Sequence, residues 1–254
     1  MIEAKGARKS FGSREILRGI DITVQDGETL VIIGGSGTGK STFLKCCVGL
    51  TKLDGGSISV DGVDVTRLEG DAEVAAYRRK IGYLFQEAAL FDSLSVWENV
   101  TFGLRYLTDI PESKYRQIAK EKLALVGLKD IEDHRPAELS GGMKKRVGLA
   151  RAIAAEPKYI LYDEPTTGLD PIMSDVIDDL IISLKKDIGV TSIAVSHDMK
   201  AAYKIADRIA MLHEGHFLQI GTPKEIQSTK DPAVRQFIEG RSEGPIKMKI
   251  KAYD

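Results

Sequence analysis

Cysteine is almost absent. The 254 residues hold two, Cys46 and Cys47, and they are sequence neighbours. Neighbouring thiols make neither a structural disulfide nor a zinc set, so both read as small core residues on a helix. Long apolar runs are missing too. None approaches the roughly 20 residues needed to span a bilayer. The opening MIEAKGARKSFG lacks the apolar segment of a secretory signal. A cytosolic chain that cannot cross a membrane by itself is therefore expected. No charge sign dominates: 36 Lys and Arg face 37 Asp and Glu, a net charge of −1. That balance argues against a broad nucleic-acid footprint, and no nucleic-acid partner is expected. There is no internal repeat and no low-complexity linker. What remains is 43% hydrophobic and 29% charged, an ordinary globular balance. The length predicts one large domain, or one domain with an inserted lobe.

Along the chain, residues 2–33 hold short strand-like runs separated by turn signals near Ser13 and Asp26-Gly27. The last run, Thr29 to Ile33, is continuously apolar and short, which suits a strand buried on both faces. A glycine-rich loop and a helix of about ten residues follow. GGSISVDGVDV predicts a hairpin around Asp61-Gly62, and Ile81 to Phe85 a further strand. Residues 94–155 change character. SVWE is a capping box with Ser95 as N-cap and Glu98 three residues on. A second helix is expected from after Pro111 to Val126, and a third from 141. This stretch carries no strand signal and predicts an inserted helical lobe. Strands return at 159–163 and 191–195. Between them lies a helix entered through Asp170-Pro171. Two short strands flank Glu214-Gly215, residues 223–239 read as helical, and the final KMKIKAYD is weakly patterned.

The chemistry begins at GGSGTGKS, residues 34–41, which fits G-x-x-x-x-G-K-[ST] between a strand and a helix. Glycines let backbone N–H groups converge on phosphate oxygens. Lys40 supplies a charge to the β- and γ-phosphates, and the Ser41 hydroxyl suits Mg²⁺. The bland alternative is a flexible loop. YILYDEP, residues 159–165, ends a buried strand in two carboxylates. Asp163 is placed for the hydration shell of Mg²⁺, and Glu164 to polarise an attacking water. Alone this is an acidic turn; with the phosphate loop it becomes a hydrolytic site. His197 sits at the carboxyl end of a buried strand, where parallel sheets place ligands. It reads either as a γ-phosphate contact or as a satisfied structural histidine. Gln86 senses Mg²⁺ or the lytic water, or is a polar loop residue. Phe11 stacks on adenine or packs in the core. His213 and His216 flank a turn and read as structural or solvated.

AELSGGMKKRVGLARAI, residues 137–153, looks like a second phosphate-binding helix N-terminus. No Lys-Ser pair or acidic strand accompanies it, so it is not a complete second site. Its donors suit someone else's nucleotide. Two copies arranged head to tail set Ser140, Gly141 and Gly142 of one across the γ-phosphate of the other. An ordinary Ser-Gly helix cap is the alternative.

Together these motifs resemble the ABC-type ATPases, the nucleotide-binding subunits of transporters, over residues 2–240. The matches are the Walker A loop GGSGTGKS, the Q-loop Gln86, the signature LSGGM at 139–143 and the Walker B run YILYDE. The D-loop Gly168-Leu169-Asp170, the H-loop His197 and the A-loop Phe11 complete the set. The resemblance implies an α/β P-loop NTPase fold of ABC type: a mixed sheet core, an N-terminal antiparallel β subdomain and an inserted helical lobe. It implies an ATPase domain over 1–240, with the lobe at 94–155, and a C-terminal tail over 241–254. ATP and Mg²⁺ are the implied ligands. The implied catalytic residues are Glu164, His197 and Gln86. Nucleotide contacts fall on Phe11, Gly34, Gly35, Ser36, Gly37, Thr38, Gly39, Lys40, Ser41, Thr42, Ser140, Gly141 and Gly142. The metal falls to Ser41, Gln86 and Asp163. Two departures stand out: Met143 where glutamine is usual, and Phe11 where tyrosine is commoner.

FQEAALFDSLSVWENV, DPAVRQFIEGRSEGPI and the LSGGM ending are further similar to ATPases of Mla or Mce-type phospholipid transporters. That resemblance implies a second copy of the chain, MlaE-like permease subunits, an MCE lipid-binding subunit and a small accessory cytosolic subunit. It implies a peripheral place on the cytoplasmic face of the inner membrane. Trp97 and Phe91 are candidate anchors for a permease helix. The alternatives are an importer of small polar solutes such as amino acids, and a non-transport module signalling through a membrane partner in cell division. A soluble DNA-repair or translation protein fits less well, since those carry two ATPase domains or long insertions. Arg235, Phe237 and Ile238 pack either on the chain's own core or on the second copy. Lys247, Lys249 and Lys251 are expected to be solvated.

Overall fold

A computed structural model describes residues 1–247, so Lys249 and Lys251 lie outside the described residues. The N-terminal runs are two long strands rather than several short ones. β1 (Ile2–Phe11) and β2 (Arg14–Val24) pair antiparallel through a turn at Gly12-Ser13. The turns at Ser13 and Asp26-Gly27 fall where the sequence signalled them, and register shifts after Ala4 and Lys9 interrupt the β1–β2 ladder. β3 (Thr29–Ile33) is buried along its whole length, as its apolar run predicts, and leads through the glycine loop into α1 (Lys40–Cys47). β4 (Gly55–Val60) and β5 (Val63–Asp64) form the expected hairpin at Asp61-Gly62. α2 (Gly70–Arg79) has no counterpart in the sequence reading. It buries only Tyr77, so no apolar stripe marked it.

β6 (Ile81–Leu84) precedes a stretch of 74 residues, 85–158, in which the described structure has no strand. Its helices are α3 (Val96–Thr101), α4 (Leu104–Leu107), α5 (Tyr115–Leu125) and α6 (Gly141–Ile153). The Ser95/Glu98 capping box is formed. β7 (Tyr159–Asp163), α7 (Pro171–Ile188), β8 (Thr191–Val195) and α8 (Met199–Ile205) follow. The Asp170 carboxylate accepts from the amides of Ile172 and Met173, the cap that Asp-Pro predicted. The chain ends with β9 (Arg208–His213), β10 (His216–Gly221), α9 (Pro223–Gln227) and α10 (Pro232–Ile238). Residues 223–239 are thus two helices, each with its own Thr or Asp cap and proline start, rather than one.

The strands form a mixed six-stranded sheet, ordered β10-β9-β3-β8-β7-β6, and an antiparallel four-stranded sheet, β2-β1-β4-β5. In the first, β9, β3, β8, β7 and β6 run parallel and β10 is antiparallel at the edge. The period of two splits each central strand between two cores. Leu30 and Ile32 face the small sheet and α1, together with Cys46 and Cys47. Val31 and Ile33 face the helical side, where Val96, Val100, Leu123, Val147 and Ala150 from the lobe join them. Both thiols are free and buried, and burial pushes the Cys46 thiol up to about 11.

Candidate active site

All the parallel strands present their carboxyl ends on one edge of the sheet, the edge where open α/β sheets bind ligands. Four of the predicted motifs leave from that edge. The phosphate loop follows β3, Gln86 follows β6, Glu164 follows β7 and His197 follows β8. Their side chains and loops line one cavity of about 510 Å³, built from Gly34, Gly35, Ser36, Gly37, Lys40, Ser41, Gln86, Glu164 and His197, with Phe237 also lining it.

The loop needs glycine for steric reasons. Gly39 has a φ of +107°, and a Cβ there would stand 2.8 Å from Ile16 Cγ2. Thr38 Oγ1 donates to the Gly35 carbonyl at 2.9 Å and fixes the turn. Lys40 is 7% exposed, and its ammonium donates to the carbonyls of Gly34 and Gly35 at 2.8 and 2.9 Å. Burial lowers its pKa, and the charges of Glu164 and Asp163 oppose that shift. The cation is therefore held at the mouth of the loop by two neutral acceptors, which a phosphate oxygen would outcompete. Ser41 Oγ donates to Asp163 Oδ1 at 2.6 Å, and Tyr83 OH donates to Asp163 Oδ2 at 3.1 Å. Burial, and after it the negative charge on Asp163, pushes the Tyr83 phenol upward.

Glu164 is buried, in a left-handed backbone conformation with φ of +51°. Its amide donates to the Val195 carbonyl at 3.0 Å, extending the sheet by one bond. Its Oε2 stands 2.7 Å from His197 Nδ1 and accepts from Thr167 Oγ1 at 3.1 Å. With the carboxylate ionised, the contact requires Nδ1 to donate. The His197 side chain is 63% exposed, facing the cavity rather than the core.

Other predicted residues stand apart from this cavity. Phe11, 54% exposed at the end of β1, is not the core residue its type favours; Lys9 Nζ lies 5.4 Å over its ring. Thr42 is half-buried in the first turn of α1. Ser140 and Gly141 are exposed at the start of α6, and Gly142 is buried. Ser140 Oγ accepts from the Met143 amide at 3.3 Å, an ordinary N-cap. Met143 itself packs against the helical-side core. The sequence reading missed four participants. Tyr83 and Thr167 brace the two carboxylates. Phe237 comes from the C-terminal helix. Lys145 is a buried lysine within α6. Lys145, in the basic run Lys144-Lys145-Arg146, carried no sequence sign that it is buried.

Residues 17–167 match the ABC transporter family. Over 248 residues the chain is 44% identical to mkl of Mycobacterium tuberculosis H37Rv, described as a probable ribonucleotide transport ATP-binding protein. That similarity covers 97% of this chain and 68% of mkl. It is 40% identical over 254 residues to MlaF of Haemophilus influenzae, the ATP-binding protein of an intermembrane phospholipid transport system, covering 100% of this chain and 96% of that one. The fold superimposes on the dimeric, ADP- and phosphate-bound ATP-binding cassette MJ0796 with a TM-score of 0.81, at 31% identity, over 88% of this chain and 99% of that one. With the phosphate loop, the paired carboxylates and the signature helix on this fold, the chain belongs to the ABC transporter ATP-binding family and is an ATP hydrolase.

Proposed function

We propose that this ATPase works as a pair of identical subunits and drives phospholipid transport between the inner and outer membranes of a bacterium. One observation carries the catalytic half: Lys40, Ser41, Gln86, Glu164 and His197 meet in one cavity, while the signature serine lies exposed outside it. Similarity to MlaF across the whole chain supports the transport half.

In this reading the loop amides of Gly34 to Ser41 cradle the phosphates, and Lys40 exchanges its two carbonyls for β- and γ-phosphate oxygens. Phe11 offers its exposed face to adenine. The residues fit Mg²⁺: the Ser41 hydroxyl and Asp163 carboxylate are hard oxygen donors already in contact. A magnesium ion shared with nucleotide phosphates needs few protein ligands. Ser41 and Gln86 would hold it directly and Asp163 through water, and when bound it neutralises phosphate charge. Glu164 takes a proton from water as the water oxygen bonds to the γ-phosphorus. The bond to the ADP oxygen breaks and phosphate leaves. His197, oriented by Glu164, faces the γ-phosphate.

The N-terminus of α6, with Ser140, Gly141 and Gly142, completes the site of the second copy. The exposure of Ser140 and Gly141 and the dimeric form of the MJ0796 cassette support this. A groove of about 440 Å³ beside the Q-loop, walled by Tyr83, Phe85, Phe91 and Phe102, takes a short helix of an MlaE-like permease. Phe91 is 43% exposed and stacks 4.4 Å from Phe102, so it is the better anchor; Trp97 is half-buried against the core. An MCE lipid carrier and a small cytosolic subunit accompany such a permease. No helix among the described residues is long and apolar enough to cross a membrane. The chain then sits on the cytoplasmic face of the inner membrane through its partner. The name of mkl favours a second reading, ribonucleotide transport.

Purification of the tagged chain from membranes separates them. The expected companions are a permease, an MCE-domain protein and bound phospholipid. A periplasmic solute-binding protein in their place contradicts the lipid reading.

A further inference from the structure

Gln86 and Glu164 leave different strands, yet one side chain of the signature helix touches both backbones. Lys145 stands five residues after Ser140 on α6 and is 5% exposed. Its ammonium donates to the Gln86 carbonyl and, at 3.2 Å, to the Glu164 carbonyl. Burial lowers its pKa, against the opposing charges of Glu87, Glu164 and Asp163. A buried ammonium is costly, and an apolar residue would fill the space without that cost.

Glu164 itself, and the turn just past Gln86, sit in constrained backbone. Glu164 has a φ of +51°, and Ala88 and Ala89, just past Gln86, have φ of +58° and +47°. Residues with a Cβ hold this region only where their surroundings enforce it. The same helix does so. Arg151 donates to the carbonyls of Ala88 and Ala89, the latter at 2.7 Å. Between the two cations, Gly148 permits close approach: a Cβ there would meet Leu84 Cδ1 at 2.8 Å and Ala88 Cβ at 3.3 Å.

We infer that Lys145 is a positioning residue, tying the signature helix to the Glu164 peptide and to the Q-loop at Gln86. The inference rests on Glu164 being the general base. Ser140 at the start of this helix faces the second copy's nucleotide, and Lys145 passes the helix's position to this copy's own base. Filling one site thereby sets the geometry of the carboxylate in the other.

The test measures kcat and KM for ATP, with Tm, in the full chain carrying Lys145→Met, Lys145→Arg, Glu164→Gln or Lys145→Met with Glu164→Gln. Lys145→Met lowers kcat about 10- to 100-fold, the scale of a small misplacement of a reacting group. KM and Tm stay close to wild type. Lys145→Arg, which keeps two donors, restores most of the loss. Glu164→Gln alone slows turnover about 10²- to 10⁴-fold, and adding Lys145→Met to it costs nothing further. Unchanged kcat in Lys145→Met, or the same fold-loss in both backgrounds, overturns the inference. Wild-type turnover by Glu164→Gln overturns it by a different route, because the base assignment has then failed. Should Lys145→Met not fold, Lys145→Gln reaches only one carbonyl and lowers kcat by about three- to ten-fold; an unchanged kcat there counts equally against it.

Discussion

At the scale of single residues, the carboxylates divide by environment. Asp163 and Glu164 are adjacent in sequence, yet one is held by two hydroxyls and the other by an imidazole and a threonine. Asp178, on α7 behind the H-loop, has neither arrangement. It is buried, its Oδ1 has no hydrogen-bond partner, and burial pushes its carboxyl up to about 6. Lys204 opposes the shift, while Asp198, Asp175 and Asp179 add to it. The folded chain therefore holds this proton more tightly than the unfolded chain does. Its favourable contribution is complete below the ordinary value of 3.8 and is lost as pH rises through about 6. Asp178→Asn removes the ionisation. The variant should melt higher than wild type at a pH of about 8 and level with it at about 4, where wild-type Asp178 is neutral. An equal offset in Tm at both pH values contradicts the assignment.

At the scale of elements, capping chemistry was the most legible signal. Ser95/Glu98 and Asp170-Pro171 both form the caps their spacing predicts, because a cap depends on four adjacent residues and little else. Ser95 is itself buried, and its hydroxyl and amide both donate to Glu98. Ser95→Ala should cost about 1 kcal/mol, read as a lower urea midpoint with an unchanged slope. A midpoint identical to wild type shows that the lobe does not depend on this cap. Elements held by tertiary contacts were illegible. α2 offers one buried side chain, and α8 has seven residues with little more than Ala201, Ala202 and Ile205 inside. The break between α9 and α10 was visible as Thr-Pro and Asp-Pro, two start signals in one apolar run.

At the scale of the whole molecule, the sequence displayed the motifs but not their meeting place. Loop, carboxylates and histidine converge because parallel strands end on one edge, a fact of topology. Lys145 and Phe237 were hidden because burial of a lysine and the return of a C-terminal helix are tertiary outcomes. That helix packs against its own chain's helical-side core. Val234 is buried, Phe237 and Ile238 pack on the helical-side core, and Gln236 binds the backbone of Ile246 through both ends of its amide. The proposed loop, carboxylate and histidine groups thus share one cavity, while Ser140 and Gly141 lie exposed outside it at the start of α6.

The most direct test of that incompleteness is the ATPase rate per subunit as a function of protein concentration, with Ser140→Arg as control. Shared sites predict a specific rate that climbs with concentration in the wild type. Ser140→Arg should bind ATP as a single subunit and stay inactive throughout. A specific rate that is constant down to concentrations where sedimentation finds only monomer would contradict the account.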